Sequence, residues 1–126
     1  MKIVAKTDVG MVRESNQDSY TTGELPNGVA WAVVCDGMGG AAGGNVASST
    51  AVKVIAEQIT SSFRPGMSAN SIKNMMVSAI NAANISVYDI SCSNSELYGM
   101  GTTVVCAIVM EHIAYIAHAG DSRAYI

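Results

Sequence analysis

Seven consecutive apolar residues, Val29-Ala30-Trp31-Ala32-Val33-Val34-Cys35, run into Asp36 and then into Gly37-Met38-Gly39-Gly40. An apolar run with no polar face reads as a strand covered on both sides, by a helix layer or by a second sheet. The glycines allow a sharp turn into a helix and a close approach of a ligand to the backbone. Asp36 stands where the strand is expected to end, and strand ends on a packed sheet hold catalytic groups steady. A carboxylate beside a backbone carbonyl is a hard-oxygen donor set, suited to Mg²⁺ or Mn²⁺. The alternative reading is a tight strand-to-helix turn in which Asp36 helps to cap the helix.

What surrounds this stretch decides the architecture. Before it, Lys2–Thr7 alternates loosely as a strand, and a polar loop carries Arg13 and Asn16-Gln17-Asp18. A short strand, Asp18–Thr22, and the turn signal Pro26-Asn27-Gly28 then predict a hairpin into Val29–Asp36. After it come two helical patterns in succession. The first runs from about Gly44 to Phe63, with Ala47, Ala51, Val54, Ile55 and Ile59 on one face and Pro65-Gly66 beyond its end. The second starts near Ser68, a suitable N-cap, and runs to about Ser91. Its stripe of Ile72, Met75, Met76, Ala79, Ile80, Ala83, Val87 and Ile90 reads as core. A polar loop, Ser91–Met100, leads to a strand over Thr102–Met110. Glu111-His112 makes a turn, Ile113–Ala117 returns, and Ala124-Tyr125-Ile126 is a last strand. Strands, two helices and strands again predict an α+β layering, because a doubly wound parallel sheet would alternate its elements.

Composition narrows the function classes. Among 126 residues, 49% are hydrophobic and only 13% charged, which suits one packed domain and excludes a disordered chain. The net charge of -3 and the lack of a basic run argue against nucleic acid as a partner. The N-terminus has no signal-peptide pattern, and the apolar runs are too short to span a bilayer, so no membrane role is expected. Cys35, Cys92 and Cys106 form no CxxC pair, and free thiols in a reducing cytoplasm account for them. A catalytic Cys would need a His partner that the sequence does not identify.

The candidate acids are Asp18, Asp36 and Asp121, each at a junction of strand and loop. Carboxylates without Cys or His partners suggest oxygen-ligated divalent ions, where zinc would call for His or Cys. Arg13 presents a planar fork that matches two phosphate oxygens. Together they suggest phosphate-ester hydrolysis with a metal-activated water. His112 and His118 read as structural, with His118 close enough to Asp121 to serve as an outer partner. Gly37-Met38-Gly39-Gly40-Ala41-Ala42 also fits G-x-G-x-x-A, with Glu57 about twenty residues on. That reading fails on three counts. Asp36 would sit beside a pyrophosphate, a helix follows the helix, and Glu57 falls inside a helix.

Four stretches, in order and spread over the whole chain, resemble the metal-dependent protein serine/threonine phosphatases of the PP2C type in their bacterial form. They are Thr7–Asp18; Val34–Gly40 with Gly44, Ala47 and Ser48; Gly99–Thr103; and Ala119–Tyr125. The resemblance implies a four-layer α-β-β-α sandwich with the metals at one end between the sheets. It implies that Arg13 binds the substrate phosphate and that Asp36 bridges two Mn²⁺ or Mg²⁺ ions. The Gly37 carbonyl would add a ligand, Asp18 would hold metal-bound water, and Asp121 would help with a third, weaker ion. Substrates would be phosphoproteins made by a cognate serine/threonine kinase. Met38 stands where some relatives have a His proposed as general acid, which leaves that role unassigned.

Length is the departure. The match covers residues 1–126 but only the N-terminal half of such a domain, and two later metal-binding Asp motifs are not in this sequence. The sandwich is thus expected to be only partly present. Two readings follow: the N-terminal part of a working phosphatase, or an inactive, truncated fragment or binding module. In either case the apolar strands should expose surface and favour self-association.

Overall fold

The computed structural model describes residues 18–120. The expected strand Lys2–Thr7, the loop with Arg13, and the stretch from Asp121 to Ile126 lie outside the described residues. The elements are β1 (Asp18–Leu25), β2 (Val29–Met38), α1 (Gly40–Ser62), α2 (Ala69–Ser93), β3 (Gly101–Thr102), β4 (Val104–Val109) and β5 (Ala114–Ala119). The strands form one sheet in the order β1-β2-β4-β5, with β3 paired to β2, and every pairing among the described residues is antiparallel.

The hairpin is where the turn signal put it. A 3-10 turn over Pro26–Gly28 joins β1 to β2, and Asn27 and Gly28 both take positive φ. Gly and Asn tolerate that conformation better than other residues. Leu25 then pairs with Val29, so the register down the hairpin is set from the turn. β1 is longer than the short strand expected from Asp18–Thr22, because backbone pairing carries it through Gly23 and Glu24 to Leu25.

Alternation along β2 divides the sheet into two faces. Val29, Trp31, Val33 and Cys35 are buried beneath the helices, with Val33 and Cys35 fully enclosed. The helices supply Ala47, Ala51, Ile55 and Ile59 from α1 and Ile72, Met76 and Ala79 from α2. Burial of such aliphatic side chains is worth roughly 1.5–3 kcal/mol each before the cost of ordering the chain. The other face is different. Val34 is 48% exposed, Tyr20 41% and Ile116 39%. Among the described residues, the expectation that β2 is covered on both sides holds in full on the helix side and in part on the other, where Ala30 is buried but Val34 is open. One sheet and one helix layer of the four-layer sandwich are present among the described residues.

Helix boundaries follow local chemistry. Ser68 caps α2, its hydroxyl accepting the Ser71 N–H at 3.1 Å. The Phe63 N–H donates to the Ile59 carbonyl and closes α1, with Pro65 and Gly66 beyond. Two boundaries differ from expectation. β2 does not stop at Asp36 but runs on to Met38, because β3 pairs with Gly37 and Met38. α1 begins at Gly40 rather than near Gly44, and its N-cap is Gly39, not Asp36, with no side-chain cap. Gly39 has φ 120 and lies against Met100, a conformation and a spacing that exclude a side chain. The loop expected over Ser91–Met100 is part helix, since α2 continues to Ser93 and Ser95–Leu97 forms a 3-10 turn.

The tightest contact joins sheet to helix through backbone. A Cβ at Gly37 would run into the Gly44 carbonyl on α1. At the far end of the hairpin, Gly23 gives room to the indole of Trp31, since a Cβ there would lie 2.7 Å from the ring. Trp31 is 5% exposed, and its Nε1 has no hydrogen-bond partner among the described residues.

Gly37→Ala should force α1 away from β2, because both partners at that contact are backbone. Urea unfolding should show a loss of about 1–3 kcal/mol, the usual cost of overpacking. Gly28→Ala meets nothing within 4 Å and should cost only the smaller penalty of its positive φ.

Candidate active site at the acidic end of the sheet

The register collects polar groups at one end of the sheet. Asp18 pairs directly with Asp36 across β1 and β2. Opposed residues in an antiparallel pair share a face, with Cβ atoms about 4.5–5.5 Å apart. Both carboxylates are half-buried and lie on the face away from the helices. The row continues. Gly37 pairs with Thr102 and Val34 with Val105, which brings Thr103 opposite Asp36. Val104 pairs with Ala119, which brings Gly120 beside Thr103. Asp18, Asp36, Thr103 and Gly120 thus line one rung, and the chain passes from Gly120 directly to Asp121.

Each acid is anchored through its neighbours. Ser19 shares a 2.9 Å hydrogen bond with Ser48, a fully buried residue of α1, so β1 is tied to the helix next to Asp18. Gly37, next to Asp36, lies against Gly44 of the same helix. Asp36 itself is held by Thr103. The Thr103 N–H donates to the Asp36 carbonyl at 2.9 Å, and the Asp36 N–H donates to the Thr103 hydroxyl at 3.2 Å. The side-chain oxygen takes the place of the Thr103 carbonyl, which instead accepts the Thr102 hydroxyl at 2.9 Å. That exchange interrupts the single strand expected over Thr102–Met110 and divides it into β3 and β4.

Of the sequence-predicted site residues, Asp18, Asp36 and Gly37 come together. Arg13 and Asp121 lie outside the described residues. Met38 is exposed at the end of β2. His112 is exposed in the β4–β5 turn beside Glu111, and His118 is exposed on β5, two strands from Asp36 or roughly 10 Å by strand spacing. A cavity of about 200 Å³ lies elsewhere, on the helix side of the sheet, between Ile80, Ala83 and Val87 of α2 and Thr102 and Val104. It does not open on the acids' face. The donor set fits a hard divalent ion, with two carboxylates on one rung and a backbone carbonyl following Asp36. Among the described residues, no group of three or more His, Cys, Asp or Glu gathers in one place.

Comparison with known proteins bears on what this rung belongs to. The profile of the protein phosphatase 2C family matches residues 12–126. The chain belongs to the protein phosphatase 2C family. It is 36% identical over 98% of its length to a Streptococcus pyogenes protein named for the 2C type of protein phosphatase, and covers 49% of that protein. It is 34% identical to the serine/threonine phosphatase stp of Listeria monocytogenes, over 96% of this chain and 48% of the relative. A solved serine/threonine phosphatase of S. agalactiae superposes with a TM-score of 0.83 at 30% identity, over 94% of this chain and 48% of that one. The catalytic domain of the phosphatase PstP, solved in complex with two manganese ions, gives a TM-score of 0.73 at 29% identity, over 94% of this chain and 47% of that one. This phosphatase 2C chain thus spans about half the length of these relatives.

The carboxylates of Asp18 and Asp36 offer oxygen donors, while Cys35 and Cys106 of this 2C chain are buried on the helix side of the sheet. Burial pushes the Cys35 thiol up to about 12, with the Thr102 hydroxyl opposing and Cys106 adding to the rise. Burial alone pushes Cys106 up to about 12. Neither supplies a thiolate at neutral pH. Cys92 is exposed. A thiol reagent at neutral pH should therefore titrate Cys92 alone in the folded protein and all three on unfolding. The raised thiols also give a sign for alkaline stability. Between the ordinary thiol value of 9.0 and about 12, the unfolded chain releases protons that the folded chain keeps. Stability from these groups is intact below pH 9 and falls as pH rises toward 12, by up to about 1.4 kcal/mol per pH unit for each thiol. Urea midpoints taken across that range check it.

Proposed function

We propose that residues 1–126 form the N-terminal portion of a metal-dependent phosphatase domain that hydrolyses phosphoserine and phosphothreonine in proteins. The observation that carries this reading is the direct pairing of Asp18 with Asp36 on one rung, in a chain of the protein phosphatase 2C family. In this reading Asp36 and the Gly37 carbonyl hold Mn²⁺ or Mg²⁺, and Asp121 contributes to a further ion. When bound, such ions lower the pKa of water and offset charge on the phosphate. Arg13 grips two phosphate oxygens with its guanidinium and aligns the ester. Asp18 orients a water for in-line attack on phosphorus. The new P–O bond forms as the bond to the seryl or threonyl oxygen breaks, and that oxygen leaves with a proton. Substrates are phosphoproteins, products of a serine/threonine kinase.

The family acids in this chain supply part of a coordination shell. Two adjacent dications repel strongly unless enough carboxylates offset their charge. Half-exposed Tyr20, Val34 and Ile116 add an apolar surface that favours self-association. Purified Met1–Ile126 should therefore bind Mn²⁺ weakly in calorimetry, hydrolyse p-nitrophenyl phosphate far below usual enzyme rates, and associate in light scattering. A monomer that binds two Mn²⁺ tightly and turns over at ordinary enzyme rates would show that these acids suffice.

In a full-length domain containing this chain, Asp36→Asn removes the charge that a bridging ligand needs. Phosphopeptide hydrolysis should drop by more than the roughly 10–100-fold that loss of an outer-shell partner costs, and Mn²⁺ affinity should fall with it. Near-normal turnover at saturating Mn²⁺ would remove Asp36 from the site.

A further inference from the structure

We propose that Thr103 is the positioning residue for Asp36, holding the backbone of that acid through its hydroxyl while its methyl group is wedged against Gly120. Thr103 is 2% exposed and faces Asp36 across the sheet. In a regular ladder two opposed residues exchange N–H to carbonyl bonds in both directions. Here one direction is regular, Thr103 N–H to Asp36 carbonyl, and the other runs from the Asp36 N–H to the Thr103 hydroxyl. One residue therefore grips both backbone polar groups of Asp36.

The side chain has to be threonine for this to work. The hydroxyl must stay turned toward β2, and what keeps it there is on the opposite side. A Cβ at Gly120 would lie 2.7 Å from the Thr103 Cγ2 methyl, so that methyl fills the space left by the glycine. Gly120 has φ +87, a conformation that favours glycine. A β-branched residue has few χ1 states, and here packing selects one of them. Valine would keep the wedge and lose the acceptor. Serine would keep the acceptor and lose the wedge. Because the chain continues from Gly120 to Asp121, the same methyl contact ties the backbone preceding that acid to Asp36.

The metal part of this inference rests on the proposed function, but the hold on Asp36 does not, and the experiment separates them. Uniformly labelled Met1–Ile126 is prepared as it stands, as Thr103→Val and as Thr103→Ser. Hydrogen exchange at the Asp36 amide, Mn²⁺ broadening of its amide signal and the melting temperature are recorded for each. Thr103→Val should melt lower, because the Asp36 N–H loses its acceptor. Its Asp36 amide should exchange at least about tenfold faster, and it should need about tenfold more Mn²⁺ for the same broadening. Thr103→Ser should also melt lower, through the lost methyl, yet keep Asp36 protection and the Mn²⁺ response. A merely structural threonine predicts that Asp36 exchange and Mn²⁺ response follow the melting temperature in both variants. Unchanged Asp36 exchange in the valine variant, or its loss in the serine variant, would overturn the proposal, and the serine variant alone decides if the valine variant does not fold. If the unsubstituted chain shows no Mn²⁺ broadening, the metal reading fails for this chain. Exchange at the Asp36 amide then decides the hold on Asp36 by itself.

Discussion

The backbone contact between Gly37 of β2 and Gly44 of α1 sets the geometry of the acidic end of the sheet. It is a contact between main-chain atoms, so no rotamer change can relax it. Helix and strand meet there at a separation that only glycine allows. Every group on the acidic rung is measured from that point. Asp36 precedes Gly37, Asp18 pairs with Asp36, and Thr103 pairs with Asp36 from the other side. The Ser19–Ser48 bond repeats the same logic one strand over, joining sheet to helix beside an acid. The helices do more than roof a core: they fix the height of the strands on which the acids stand.

The two faces of the sheet are built from different chemistry. The helix side is closed by aliphatic side chains and two thiols that burial keeps protonated. The other side carries acids at one end and small or half-exposed apolar residues along the rest. A period of two lets one strand serve both, so β2 supplies Val33 and Cys35 to the core and Val34 and Asp36 to the opposite face. β2 is also held by β4, so a slip of one residue in the β1–β2 register would turn Asp18 toward α1 and Ser19 outward. The tight turn at Pro26–Gly28 guards against that slip, at the end of the hairpin farthest from the acids.

Much of this was legible in the residues. Apolar spacing along 47–59 and 72–90 announced both helices, and Ser68 and Pro65-Gly66 marked where one began and the other ended. Hairpin and strand order followed from Pro26-Asn27-Gly28 and from the apolar runs. Asp18 and Asp36 were legible as acids at strand junctions, and the hairpin register brought them opposite one another. What the residues did not display was the use of glycine. Gly39 reads as a turn glycine and is one, with φ 120 between β2 and α1, but the sequence did not display that Gly37 and Gly39 also admit Gly44 and Met100. Periodicity could not reveal this, because it records where side chains are and says nothing of where two backbones meet. Thr103 lay within the Gly99–Thr103 stretch, but its hold on Asp36 was hidden for a related reason. In a sequence it is one β-branched residue among several, and its exchange of hydroxyl for carbonyl exists only once β2 lies beside it. The far face of the sheet misled in the other direction, since an apolar pattern states a demand for cover and not its source.

Trp31 gives this molecule an optical handle. It is the only tryptophan in the chain, buried over Gly23, with an indole N–H that has no hydrogen-bond partner among the described residues. An indole in such dry surroundings emits toward the blue, and water reaching it would shift the emission to the red. Its position gives that signal a definite meaning. Trp31 pairs with Gly23 and Ile108 on the helix side, five residues along β2 from Asp36 and on the opposite face. Ions or phosphates arriving at the acids would leave the emission unchanged, whereas separation of the helices from the sheet would change it. The chain therefore carries a native fluorophore that reports the integrity of the core and is insulated from events at the acidic rung.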